Sequence, residues 1–245
     1  MLRKSFEEQT AALAHPETVG ELILAPKQRR ERMRSEMMNA ILEASRAVMR
    51  ERGVAALSLR EVARRVQLKA PSVYAYFPSK AALYDALFLL AVRQYRSYKR
   101  RSTGQSDSFW DQLYDLFATY MRFALQHPDL YQLAFEHPVP GFSPSAETMA
   151  QSEQLLGHMT ELLDKAIEEG SIRPRVSSTQ ARDLIIAMSH GLTSQHVANE
   201  PQLPIGSGRY GSLIPAAVDL FRAAWEVGAA TDTEGGETDP DPDRA

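Results

Sequence analysis

Between Ser58 and Lys80 the sequence gathers side chains suited to phosphates and base edges. Ser72, Tyr74 and Tyr76 carry hydroxyls that can bond to either. Pro71 presents an apolar edge that can meet a thymine methyl. Ser58 and the free amides of a helix start form an anion site, and Arg60 lies beside them. Lys80 sits in the first turn of a helix, where the dipole disfavours a cation and a bound phosphate would compensate. Catalytic patterns are lacking. The 245 residues include no cysteine, which excludes disulfides, thiolate zinc sites, iron–sulfur clusters and a cysteine nucleophile. No HExxH, P-loop, GxSxG or paired-carboxylate motif occurs, so no enzyme is read here. His190 and His196 are six apart and share a helix face poorly, while His127 and His137 flank separate breaks. No metal site or cofactor is expected.

The elements that must hold these residues are helical. From Gln28 to Arg52 an apolar face recurs at Met37, Ala40, Ile41, Ala44, Ala47 and Val48, and Gly53 stands where a helix ends. Ser58 and Glu61 read as a capping box that opens a short helix to about Val66. After a four-residue break, Pro71 fits the first turn of a second short helix, ending near Phe77-Pro78. Val73 and Phe77 lie four apart and can pack inward. Read alone, Tyr74 and Tyr76 also fit a core role. Ser79 caps a longer helix with Leu83, Leu87, Leu90 and Ala91 on one side. Two short helices joined by a tight turn in a basic three-helix module are a helix-turn-helix signature, whose second helix enters the major groove.

Further helices are read over about 108–126, 128–135, a long one ending at Gly170, 177–199 (opened by a Ser177/Gln180 capping box) and 212–227. No alternating strand pattern of useful length appears, so the fold class is all-α. The predicted organisation is an N-terminal extension, partly disordered, over 1–27, and a helix-turn-helix domain with its connecting helix over 28–101. A helical effector-binding and dimerisation domain covers 102–228, and a disordered acidic tail covers 229–245. No apolar run approaches the length of a membrane span, and the start lacks a secretory pattern, so a cytoplasmic protein is expected.

Charge follows the same division. The whole chain is near neutral at −3, yet Lys27 to Arg101 holds 18 basic against 6 acidic side chains, or +12. The remainder holds 10 against 25, or −15. Such segregation points to a module that meets a polyanion and a body that does not. Arg29, Arg30, Arg32 and Arg34, ahead of the module, are either solvated or an arm that reaches phosphates or the minor groove.

From about Met38 to Leu87 the chain resembles the TetR family of bacterial transcriptional repressors. The resemblance runs through Arg52-Gly53 and Leu57-Ser58-Leu59-Arg60-Glu61-Val62-Ala63-Arg64-Arg65-Val66. It continues through Pro71-Ser72-Val73-Tyr74-Ala75-Tyr76-Phe77 to Pro78-Ser79-Lys80-Ala81-Ala82-Leu83. It implies a homodimer on double-stranded DNA, each copy placing one short helix in a major groove of a roughly palindromic operator. It also implies that Ser58, Arg60, Lys69, Ala70, Pro71, Ser72, Tyr74, Tyr76 and Lys80 stand at DNA-facing positions. Many members have a small polar residue followed by Lys and Gly where this chain has Lys69-Ala70-Pro71, so base preference does not carry over.

The acidic half holds 12 of the 20 aromatic residues. His127-Pro128-Asp129-Leu130-Tyr131 and Met188-Ser189-His190-Gly191-Leu192 resemble a C-terminal type of the family, although Ile185-Ile186 stands where that type has a Trp. The resemblance implies a small-molecule effector that loosens the operator complex. Phe117, Tyr120, Met121, Phe135, Met159, Leu163 and Met188 are candidates to line its cavity, and each also fits a core role. By analogy, the last two long helices would dimerise through Ala181, Ile185, Met188, Leu192, Ala216, Leu220, Ala223 and Ala224. The expectation is a ligand-released repressor. The alternatives are a helical sensor or adaptor without operator binding, and a small-molecule enzyme.

Overall fold

The computed structural model describes residues 25–102, 108–136 and 139–227, with only the backbone over 99–102. The expected irregular start, most of the linker after Arg101, His137 and the acidic tail lie outside the described residues. Among those described, every regular element is helical, and the sole extended pairing is a single bridge between Ile172 and Glu226. No helix among them is long and apolar enough to cross a membrane.

The chain forms two compact units. One takes the described residues up to Ala91 together with Pro128–Thr148; the other takes Val92–His127 and the chain from Met149 onward. In the first unit, helix α1 (Pro26–Arg52) leads through a 3-10 turn (Val54–Ala56) to α2 (Leu59–Arg65) and α3 (Ala70–Val73). Helix α4 (Lys80–Ser102) begins there, with the Ser79 hydroxyl accepting from the Ala82 amide at 3.0 Å. The apolar faces converge on Ile41, Val48, Val62, Val73, Leu83 and Leu87, all fully buried. Burial of each such side chain contributes about 1.5–3 kcal/mol. Gly53 ends α1 at φ +85°, ψ 155°, a conformation nearly confined to glycine. The Tyr84 hydroxyl donates to the Val54 carbonyl at 2.7 Å and ties α4 to the 3-10 turn.

The second contribution to this unit is α6 (Pro128–Tyr131), which widens into a π-helical turn over Gln132–Glu136. Its Asp129 is fully buried and accepts from Arg46 Nε at 2.8 Å; Arg50 Nη1 lies 3.4 Å from the same oxygen. Burial works against the Arg46 cation, but Asp129 and Glu43 outweigh it and hold its pKa above the ordinary value. Further along, Asp85 of α4 accepts from the Ser145 amide, the Ser145 hydroxyl and the Thr148 hydroxyl at 2.7, 2.9 and 3.0 Å. These bonds fix the first turn of α7 (Ala146–Glu168).

The second unit is built on α5 (Phe109–Gln126), most of α7, α8 (Ser178–Asn199), a one-turn α9 (Gly208–Gly211) and α10 (Ile214–Trp225). Its core joins Phe109, Leu113, Phe117 and Met121 to Met159 and Leu163, Ala181 and Ile185, and Ile214, Val218, Phe221 and Trp225. The Ser177/Gln180 capping box is formed.

Four expectations need correction. The Ser58/Glu61 capping box is absent, because the Glu61 carboxylate is taken by Arg64 and Arg65. The second short helix stops at Val73 and continues as turns, with the Ala75 and Tyr76 amides donating three residues back and the Phe77 amide donating to the Val73 carbonyl at 2.9 Å. The last long helix begins at Ile214 rather than Ser212, because Pro215 is tolerated only in a first turn. Ala181 and Ile185, assigned by analogy to a dimer face, are buried in their own unit's core, and Leu192 packs against it.

Candidate nucleic-acid interface

The candidate surface is assembled on α2, α3 and the start of α4. Helix α2 is anchored from below by Val62 and Ala63, which are buried. The turn after it is closed by Gln67 at φ +56° and by the Leu68 amide donating to the Ala63 carbonyl at 2.9 Å. The left-handed residue reverses the chain within four residues and delivers Lys69 to the start of α3. Val73 and Phe77 are buried and lock the α3 segment to the core. Their burial forces the intervening residues outward. Lys69, Pro71, Ser72 and Tyr74 are exposed, Tyr74 by 50%, while Ala70 and Tyr76 are half-buried. Ser58, Arg60 and Lys80 are exposed as well. The nine residues expected to face DNA are thus exposed or half-buried in one unit.

Two contacts give the surface rigidity. Arg34 Nη2 donates to the Ala75 carbonyl at 3.0 Å, and its guanidinium lies 5.2 Å above the centre of the Tyr76 ring. Lys80 Nζ lies 3.5 Å from the Ala55 carbonyl and 5.4 Å from the Tyr84 ring centre. The Lys80 charge therefore has an aromatic face and a carbonyl but no carboxylate partner among the described residues. Behind the surface, Arg64 and Arg65 hold the Glu61 carboxyl at about 2, and Arg65 also lowers that of Glu51. That network takes up Glu51 and Glu61, and Arg60 and Lys69 have no carboxylate partner among the described residues. Sequence reasoning named Arg34 as either solvated or part of an arm, and missed its contacts with Ala75 and Tyr76, which lie about 40 residues away in sequence.

The candidate ligand residues divide. Phe117, Met121, Met159 and Leu163 share the core of the second unit. On α5 of that unit, the Tyr120 hydroxyl pairs with His190 Nδ1 at 3.1 Å, and its ring meets Tyr95 edge-on at 5.6 Å. The structure does not bring the other two to this place. Phe135 lies in the first unit beside Tyr131, and Met188 is solvent-exposed on α8. Sequence reasoning missed the polar aromatics around Tyr120. Tyr95 is half-buried, desolvation pushes its phenol pKa up, and the Tyr98 hydroxyl meets His127 Nε2 at 3.1 Å. Their three-residue spacing on α4 was the available signal. No group of three or more His, Asp or Glu that could hold a metal occurs among the described residues.

The family model described as bacterial regulatory proteins, tetR family, matches residues 41–87. That described as the tetracyclin repressor-like C-terminal domain matches residues 113–210. The two together cover more than half of the chain. The chain belongs to the TetR family. HTH-type transcriptional regulator Rv1816 of Mycobacterium tuberculosis is 27% identical over 151 residues, 59% of this chain and 63% of that protein. Regulator Mb1846 of Mycobacterium bovis gives the same values. The chain thus spans less than two thirds of the length of the curated relatives it matches. A protein of unknown function from Rhodococcus sp. RHA1 shares the fold, with a TM-score of 0.64, 20% identity and coverage of 75% of this chain and 92% of that one. So does the transcriptional regulator FadR from Bacillus subtilis in complex with stearoyl-CoA, with a TM-score of 0.59, 16% identity and coverage of 74% and 96%. The family match and the curated relatives point to transcriptional regulators. The matched span 41–87 contains all nine candidate DNA-facing residues.

Proposed function

We propose that this TetR-family chain is a DNA-binding transcriptional repressor that works as a homodimer in the cytoplasm and releases a palindromic operator when a small, mostly apolar ligand binds. One observation carries the reading: the α3 segment is locked inward by Val73 and Phe77 and presents Ser72 and Tyr74 outward, on a surface with Arg60, Lys69 and Lys80, which have no carboxylate partner among the described residues. That arrangement joins base-edge readers to phosphate binders. Ser58, Ala70, Pro71 and Tyr76 complete the DNA-facing set.

The dimer is supported by α8 and α10. Leu184, Ala187, Met188 and Gly191 lie outward on α8, and Leu213, Ala216, Leu220, Ala223 and Ala224 lie outward on α10. An exposed apolar face with small residues suits a four-helix bundle formed by two copies. The ligand reading rests on the aromatic and Met side chains of the second unit, Phe117, Tyr120, Met121, Met159 and Leu163. The FadR complex supports it as a case in which this fold holds an acyl ligand.

The test is selection of bound fragments from genomic DNA, then a ligand screen for release. Affinity for the selected duplex should fall with salt at about −0.9 in log K per log[salt] for each phosphate neutralised. Tyr76→Ala and Lys80→Ala should weaken binding to every sequence, while changes at Ala70 or Ser72 should shift base preference. Absence of salt-sensitive duplex binding would reject the function, and uniform losses from all four changes would reject this division of roles.

A further inference from the structure

Helix α1 begins well before the part of the chain that the family shares. The matched span starts at Ile41, yet α1 runs from Pro26, and residues 26–36 are exposed throughout. These first three turns are therefore helical without contributing to the core. They carry Lys27, Arg29, Arg30, Arg32 and Arg34 against Glu31 and Glu36. The first turn contains no acid and two cations, Lys27 and Arg29, the reverse of what the helix dipole favours. A local arrangement that costs stability marks a site where function overrides it.

Position on the helix sorts these cations. At about 100° per residue, Lys27 lies within about 20° of Arg34 and Arg30 within about 40°, whereas Arg29 is turned away by about 140°. Lys27, Arg30 and Arg34 thus make one stripe, about 10 Å long at 1.5 Å per residue. Arg34 orients it: this side chain donates to the Ala75 carbonyl and covers Tyr76, so the stripe continues on the α1 face that meets the α3 turn. Lys27 and Arg30 have no carboxylate partner among the described residues, whereas Arg32 is paired with Glu36 at 2.8 Å. Glu31 lies near the stripe and pairs with neither.

We propose that Lys27 and Arg30 form a second phosphate-binding surface, which engages the DNA backbone flanking the site read by α3. The inference rests on the DNA-binding reading above and adds a contact outside the shared helix-turn-helix. Because the stripe touches phosphates and no base, it contributes affinity and salt dependence but no sequence preference.

The experiment compares the full chain with K27Q/R30Q and with R29Q. Glutamine keeps the helix propensity of lysine and arginine, and circular dichroism checks that α1 stays folded. Binding is measured by anisotropy over a salt series, on the selected duplex with about one helical turn of flanking DNA on each side and on the same duplex trimmed. On the flanked duplex K27Q/R30Q should lower the salt slope by about 1.8 per copy, or about 3.6 for the homodimer. Between 50 and 200 mM salt the parent dimer should then lose about 150-fold more affinity than the double variant. On the trimmed duplex the two should coincide. R29Q should follow the parent on both, and the base preference selected by K27Q/R30Q should be unchanged. An unchanged slope on the flanked duplex, or an R29Q effect as large as half that of the double variant, overturns the stripe while leaving the operator reading intact. A parent chain without salt-sensitive binding to any duplex overturns both.

Discussion

The buried pair of Arg46 and Asp129 offers the sharpest test of how the DNA-reading unit is held together. Both side chains are nearly or wholly out of solvent, and they join residues 83 apart in sequence at 2.8 Å. Asp129→Ala removes the buried carboxylate paired with the Arg46 cation. Breaking such a pair costs about 3–5 kcal/mol, because the remaining charge stays desolvated. Arg46 keeps Glu43 at 3.1 Å, but that carboxylate is 60% exposed and offsets little. Arg50, 42% exposed, returns to water. The lower end applies, about 3 kcal/mol. For a chain of this size that is a drop of about 6–12 °C in melting temperature, at about 2–4 °C per kcal/mol.

The pair itself need not be a net gain. Asp129 Oδ1 is buried with no hydrogen-bond partner among the described residues, so the carboxylate is only half satisfied. Replacing both members by apolar residues of similar size should then recover most of the loss. Thermal melts followed by circular dichroism should show R46M and D129A each destabilised, and R46M/D129L within about 1 kcal/mol of the parent. A loss below about 1 kcal/mol for D129A, or a double variant as unstable as the two singles added, refutes the reasoning.

Other perturbations have equally definite outcomes. Arg64 and Arg65 depress the Glu61 carboxyl from 4.5 to about 2. Its contribution is therefore present above pH 4.5 and lost as pH falls through about 2, so the melting gap between parent and E61Q should close over that window. A gap that stays constant down to pH 2 contradicts the assignment. Gly53→Ala puts a side chain at φ +85°, where nothing clashes with the new methyl, so only backbone strain of about 1–3 kcal/mol is expected. A lowered urea midpoint at constant slope checks it. Leu220 is 64% exposed on α10, and Leu220→Glu should yield monomers by light scattering with helicity unchanged. Persistent dimers would place the interface elsewhere.

Local signals carried the fold where no neighbour competed for the same group. Ser177 and Gln180 form the capping box their spacing predicts, because nothing draws the neutral amide away. Ser58 and Glu61 have the same spacing and fail, because Arg64 and Arg65 lie one turn on and bind the carboxylate more strongly than a backbone amide does. The α3 surface was legible in outline, since burial of Val73 and Phe77 fixes which residues turn outward. Helices apolar on several sides were not. On α8, three- and four-residue spacing linked Ala181, Ile185 and Met188, yet the first two face the core and the third faces solvent. Periodicity cannot separate a core stripe from an interface stripe on one helix. Phe135 was misplaced for a different reason: the chain returns at Pro128 to the first unit, and no local pattern announces that return.

Charge shows the same boundary between what can be counted and what must be seen. Of the cations that make residues 27–101 strongly basic, Arg46, Arg50, Arg52, Arg64 and Arg65 are held by Asp129, Glu43, Glu51 and Glu61. Those charges are structural and are already neutralised before any partner arrives. In the first unit, Lys27, Arg29, Arg30, Arg34, Arg60, Lys69 and Lys80 have no carboxylate partner among the described residues. Counterion release scales with cations free to meet phosphates, so these seven, and not the segment's whole excess of +12, set the upper bound on the salt slope that the described part of one copy's first unit can produce. At about 0.9 per phosphate that bound is about 6 per copy, or about 13 for a dimer. A measured slope well above it would require the paired arginines to exchange their carboxylates for phosphates, and the Glu61 carboxyl would then lose its depression in the DNA complex.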